Sequence, residues 1–236
     1  MPTLRAALAG VVGVLLIVGV AFAVVGPTTA GTPVAAPAQP DPAAATATLP
    51  PERPSTSAPA APEDRMALLR AALLRPSEVG PGWRVAPEQP LPNPSVPAVC
   101  GGHSVIARFP DAQRVGVALL GSRSGERVQE TLSVFGDRTT ARAAYDAYAE
   151  GLDCTKGSLS GTPVTISEPE DVRDRVQGDR ATAWTLTGSG FRALLVSVLT
   201  GDQLVNFVFL TPDGSSLTRV DALVLARTGV ARLQAT

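Results

Sequence analysis

Cys100-Gly101-Gly102-His103 sets two metal-ligating side chains close together, and His103 is the chain's only histidine. A closed metal site takes about four ligands, and no neighbouring cluster supplies the others, so His103 reads as a loop residue. A serine hydrolase would need that same histidine as its base and a serine at a nucleophile elbow. Gly121-Ser122-Arg123-Ser124-Gly125 and Gly157-Ser158-Leu159-Ser160-Gly161 have the flanking glycines. Neither has serine in the central place of G-x-S-x-G, and both read as turns. Glu168, Glu170, Asp171 and Asp174 form an acidic run interleaved with Arg173 and Arg175. That run lacks the spaced oxygen ligands and central glycine of a calcium loop and reads as a solvated charged loop. No glycine loop of the Walker or dinucleotide type occurs. The sequence therefore nominates no catalytic residue, no metal ligand and no cofactor, and a non-enzyme is the expectation.

The 236 residues carry a formal net charge of -1 and are 44% apolar. That apolar content suffices for a folded core. The near-neutral charge argues against nucleic acid as a partner, since binding it requires a concentrated basic face that displaces counterions. Lys156 is the only lysine among the basic residues, and alanine is abundant, a bias of GC-rich genomes.

The elements that would position a site begin after two segments that cannot be core. Ala6 to Val25 is an apolar run broken only by glycines, with Arg5 just before it. About 20 residues at 1.5 Å each span roughly 30 Å, the thickness of a bilayer's hydrocarbon core. Arg5 and the amino terminus put positive charge on one flank, and the other has no Lys or Arg until Arg53. The start should stay inside and the rest should cross. Residues 1–26 read as a signal anchor. A cleaved signal peptide is the alternative, with Ala21-Phe22-Ala23 or Thr28-Thr29-Ala30 as cleavage sites. The expected address is a single-pass membrane protein with its C-terminal domain outside, or a secreted protein if the segment is cut. Residues 27–62 are mostly Pro, Ala and Thr. They cannot bury enough surface to offset ordering entropy and read as a disordered, semi-extended linker.

Residues 63–236 read as one folded domain. Met66, Leu69 and Leu73 follow Glu63 and Asp64 at helical spacing, and Pro76 should interrupt or end that helix. Pro81 to Pro97 is proline-rich and reads as an irregular arm over the domain surface. Val115 to Leu120 and Val128 to Phe135 read as strands, with Val128, Leu132 and Val134 on one face. Asp137 is placed to cap a helix whose apolar stripe is Ala141, Ala144, Tyr145, Tyr148 and Leu152. Thr182, Trp184 and Leu186 alternate as a strand, Phe191 to Leu199 forms a second and Leu204 to Leu210 a third, with turns at Gly188-Ser189-Gly190 and Gly201-Asp202. A last helix after Asp213-Gly214-Ser215 carries Leu217, Val220, Leu223, Val224, Val230 and Leu233. Gly229 should weaken it by about 1 kcal/mol relative to alanine, with fraying beyond. The order α–β–β–α–β–β–β–α is that of helices packed on an antiparallel sheet, an α+β domain.

Cys100 and Cys154 are the two cysteines. An even count in an exported domain favours a disulfide over free thiols. Such a bond would pin the end of the Tyr145–Tyr148 helix to the proline-rich arm.

Leu73-Leu74-Arg75-Pro76-Ser77-Glu78-Val79-Gly80-Pro81-Gly82-Trp83 resembles the opening of the actinobacterial extracytoplasmic sensor-type domains. This PknH-like group includes the extracellular domain of a mycobacterial Ser/Thr protein kinase. A cysteine, a strand and an Ala-rich helix closing on a second cysteine follow in that group. Val134-Phe135-Gly136-Asp137, Ala141, Ala144 and Leu152-Asp153-Cys154 have the same shape. The resemblance spans roughly residues 68–233. This chain departs from the kinase domains in having one cysteine pair and no kinase. The resemblance implies a cleft-bearing binding domain with no catalytic residues to carry over. It would sense or hold a small or lipidic ligand or a cell-envelope partner. The alternatives are a structural or interaction protein of the envelope and an envelope hydrolase. The expected ligand site lies between the sheet's exposed face and the Pro81–Pro97 arm, with Trp83 and His103 as candidate lining residues.

Overall fold

A computed structural model describes residues 62–87, 95–213, 215 and 217–235. The Ala6–Val25 segment, its cleavage sites, nearly all of the 27–62 linker and the middle of the proline-rich arm lie outside the described residues. Among the described residues no helix is long and apolar enough to cross a membrane.

The described residues fold around one antiparallel sheet. Helix α1 (Pro62–Ala72) leads into a short α2 (Pro76–Val79) and strand β1 (Arg84–Val85). Then come α3 (Val105–Arg108), β2 (Gln113–Leu120), β3 (Arg127–Val134) and α4 (Arg138–Glu150). A hairpin of β4 (Lys156–Leu159) and β5 (Thr162–Ile166) precedes β6 (Glu170–Asp171) and α5 (Arg173–Val176). The last elements are β7 (Arg180–Gly188), β8 (Phe191–Thr200), β9 (Gln203–Pro212) and α6 (Arg219–Gln234). Strand order is β1-β2-β3-β9-β8-β7-β5-β4, with β6 also paired to β7. The β2–β3 and β7–β8–β9 units are local hairpins. They meet at the β3–β9 seam, where Glu130 lies opposite Phe207 and Thr131 opposite Asn206.

Helices cover both faces. On one side Val128, Leu132, Val196, Val198, Val205 and Phe207 are fully buried beneath α1, α5 and α6. On the other, Trp184, Leu186 and Leu195 pack with Tyr148 and Leu152, and Leu199 and Leu204 pack with Tyr145 of α4. Being buried on both faces explains why β8 reads as a nearly continuous apolar run rather than an alternating one.

Asp137 caps α4 as expected, its Oδ1 accepting the Thr139 and Thr140 amides at 2.7 and 2.9 Å. Pro76 occupies the first turn of α2, where its missing N–H costs nothing; α1 has already ended at Ala72. Several short elements were not expected from the sequence: α2, β1 (inside the stretch read as an irregular arm, where it pairs with β2), α3, the β4–β5 hairpin and, within the acidic run, β6 and α5. They are only two to five residues long, too short to carry a periodic signal. In that run Val172 and Val176 are nonetheless buried.

The apolar face expected of α6 is corrected. Val220 and Val224 are 69% and 57% exposed, whereas Ala222, Leu223, Leu225, Ala226, Gly229, Val230 and Leu233 are buried. Small residues form much of the buried stripe, because the helix approaches the sheet closely. A Cβ at Gly229 would stand 2.8 Å from Phe207 Cζ and 3.0 Å from Glu130 Oε1. Nor does the helix fray beyond Gly229, since Val230 and Leu233 anchor it. Gly229→Ala is therefore expected to destabilise the protein by about 1–3 kcal/mol through overpacking, despite alanine's better helix propensity. Urea unfolding checks the sign.

Candidate functional site

Cys100 and Cys154 are disulfide-bonded, with Cα atoms 5.9 Å apart. The bond fixes the segment after the proline-rich arm to the end of α4, and backbone hydrogen bonds reinforce it. The Cys100 amide donates to Gly151 O at 3.1 Å, and the Ser158 amide donates to Val99 O at 2.8 Å. Gly157 permits that second approach, because a Cβ there would fall 2.4 Å from Val99 O.

Between this fixed segment, α3, α4 and the sheet is a cleft of about 400 Å³. Its size lies within the range of small-molecule sites. Val96 to Val99 form one wall, Val105 and Ile106 of α3 and Ala147, Tyr148 and Leu152 near α4 form others. The floor is the sheet face that carries Gln129, Thr131 and Ser133 on β3, Leu195 on β8 and Asn206 and Val208 on β9. No charged side chain among the described residues lines it. Tyr148 is itself held neutral, as burial pushes its hydroxyl well above the ordinary range although part of the side chain remains accessible.

Polar residues cross this face as a row. Thr131 lies opposite Asn206, Asn206 opposite Ser197, and Ser197 opposite Thr182. At the α4 end the row is closed, with the Tyr145 hydroxyl 2.6 Å from Thr182 Oγ1. At the cleft end it is open. Asn206 Oδ1 and the Oγ of fully buried Ser197 are both screened from solvent and have no hydrogen-bond partner among the described residues.

The structure places the nominated residues as follows. His103 is exposed; its neighbour Ser104 lines the cleft, and the histidine does not. Trp83 is half-buried against the core on the other side of the sheet, with α1 and α6, and does not line the cleft. The arm contributes only its last residues, from Val96 onward, while residues 88–94 lie outside the description. Sequence reasoning missed the polar row. Gln129, Thr131 and Ser133 occupy one face of β3, opposite Val128, Leu132 and Val134; that polar face reads as solvated, and nothing local reveals that Thr131 and Ser133 are covered.

A second cavity, about 450 Å³, lies between the β8–β9 end of the sheet and the start of α6, lined by Arg192, Asp213 and Arg219 among others. Several of its polar groups already have internal partners. Arg219 binds Glu170 and donates to Thr185 Oγ1 at 3.2 Å, and Thr218 and Asp221 form a capping box at the α6 N-terminus. Although slightly larger, it offers fewer unmet contacts than the cleft behind the cystine.

Glu130 is the one strongly perturbed carboxyl among the described residues. It is fully buried at the base of α6, on the sheet face opposite the cleft. Burial raises its pKa from 4.5 to about 7, against the hydrogen bond from the Leu74 amide and the nearby Arg232, while Glu78 raises it further. It lines neither cavity.

No family model matches this chain, and no curated protein matches it in sequence. Among solved structures it is similar to the extracellular domain of PknH from Mycobacterium tuberculosis, with a TM-score of 0.50 at 13% identity. The match covers 70% of this chain and 94% of that one. At that identity the likeness is one of fold: the described residues form a helix-covered antiparallel sheet similar to that of a known extracellular domain.

Proposed function

We propose that the folded part of this chain is an extracytoplasmic, sensor-like binding domain, tethered by its N-terminal segment, that takes a small or lipidic ligand in the cleft behind the cystine. The observation that carries this reading is the cleft itself, apolar in most of its walls, lined by no charged side chain among the described residues, and floored in part by Asn206, whose Oδ1 has no partner there. The disulfide supports an oxidising compartment. The fold it shares with an extracellular domain, together with the Arg5-flanked apolar run, supports the same address. A hydrolase reading draws no support from Glu130, because a perturbed carboxyl serves catalysis only where substrate can reach it, and this one is sealed in the core. An interaction protein is favoured by one feature: Val220 and Val224 are exposed one turn apart on the outer face of α6.

Photolabelling separates these readings. The full chain, in membrane vesicles from cells producing it, would be irradiated with a decan-1-ol that carries a diazirine in its chain, then digested and mapped by mass spectrometry. Label is expected on peptides containing Val96–Val99 or Tyr148–Leu152 and should fall severalfold in Val208→Trp, which fills the cleft. Ile106→Trp is a second wedge from another wall, should the first variant misfold. Label confined to the Val220–Val224 face, or to the N-terminal segment, would overturn the cleft reading.

A further inference from the structure

We propose that the cleft takes an uncharged amphipath, with its hydrocarbon against Val99, Ile106, Tyr148 and Val208 and a neutral hydroxyl or amide head on the polar row at Asn206. This rests on the cleft being the ligand site and adds the chemistry of what it admits.

Charge comes first. Among the described residues no arginine, lysine, aspartate or glutamate lines the cleft. A carboxylate, phosphate or ammonium drawn into it would leave water with no opposite charge to meet. An isolated charge in such surroundings neutralises rather than binds. A fatty acid would therefore enter as its neutral acid, and its apparent affinity would fall about tenfold per pH unit above its own pKa.

The head group is set by the floor. Asn206 Oδ1 is an acceptor without a donor, and Ser197 Oγ beside it has neither. Ser197 lies opposite Asn206 on β8 but does not line the cleft, so it is Asn206 that meets the head group. Buried polar atoms left unpaired are costly, and a ligand that pairs them removes that cost. Asn206 Oδ1 needs an N–H or O–H, which excludes a bare hydrocarbon or an ester as the best fit and selects an alcohol or an amide. The other end of the row does not compete, since Thr182 is already engaged by Tyr145.

The test is competition against the diazirine probe on the full chain at pH 8, using ten-carbon compounds that differ only in the head: decanamide, decanoate, decylammonium and the headless decane. Decanamide is expected to suppress cleft labelling at a concentration about tenfold or more below either ion. Lowering the pH should strengthen decanoate and leave decanamide unchanged. Asn206→Leu should bring decanamide and decane to parity, and Thr131→Val, the gentler change beside it, should narrow the gap. Ions competing as well as decanamide, or an amide preference untouched by Asn206→Leu, would overturn the proposal while leaving the cleft as the site. Absence of label from the cleft would overturn both.

Discussion

Replacing Cys100 or Cys154 with alanine is expected to lower stability by about 4 kcal/mol, and the double replacement is expected to cost scarcely more than either single one. The bond spans 54 residues of sequence. Cross-linking across such a distance removes loop-closure entropy from the unfolded chain, which gives that magnitude in the chain-entropy treatment. Non-additivity follows because each replacement deletes the same bond. The structure adds a consequence for binding. Val96–Val99 and Gly151–Leu152, held together by the cystine, are cleft walls. Reduction of the wild-type protein should therefore abolish cleft labelling at temperatures where circular dichroism still reports a folded sheet. Urea unfolding of the three variants measures the stability effect. Additive losses, or two alkylatable thiols in the non-reduced protein, would show that the bond does not form.

Glu130 should make the protein less stable as pH rises. Its folded-state pKa, about 7, lies above the ordinary 4.5, so the folded state holds the proton more tightly than the unfolded chain does. Between those values the native state keeps one more proton, and stability falls with pH. The loss is about 3 kcal/mol from end to end, complete above pH 7. The charged groups near it act in opposite senses, Arg232 favouring ionisation and Glu78 opposing it. Those two are also paired, with Arg232 Nη1 2.9 Å from Glu78 Oε2. Asp137 and Asp221 have pKa values lowered by hydrogen bonds at helix caps and titrate below this window. In Glu130→Gln the decline between pH 4.5 and 7 should vanish, because the uncharged amide can still accept the Leu74 amide that Glu130 Oε2 holds at 2.7 Å. Urea unfolding at pH 5 and pH 8 on both proteins is sufficient. A wild-type stability that is flat or rising across that interval would contradict the assignment.

Glu130 also shows where sequence reading stops. It stands in phase with Val128, Leu132 and Val134 on β3, a charged residue on the apolar face. That anomaly was legible as a pattern, but its cause was not. Only the packed structure shows that Leu74 donates a hydrogen bond to it from 56 residues away and that Gly229 leaves room for it. The face expected for α6 failed for a related reason: Ala222, Ala226 and Gly229 are buried because they are small, and a ranking by hydrophobicity prefers Val220 and Val224.

Features that depend on neighbours along the chain could be read from the residues alone. The two central hairpins follow from alternation with glycine turns, and helix α4 follows from an aspartate cap and an apolar stripe. The order of the expected elements and the cysteine count were enough to foresee an α+β domain with a disulfide. The rest came from the packing that brings distant elements together. It joined β3 to β9, so that Thr131, Asn206 and Ser197 form one row. It laid α4 over one end of that row and the cystine segment beside the other, leaving a cleft over residues whose pattern read as solvated surface. Trp83 was set on the opposite side of the sheet from that cleft. Alternation gives the two faces of a strand, but which face is covered, and by what, is set by contacts between residues far apart in sequence.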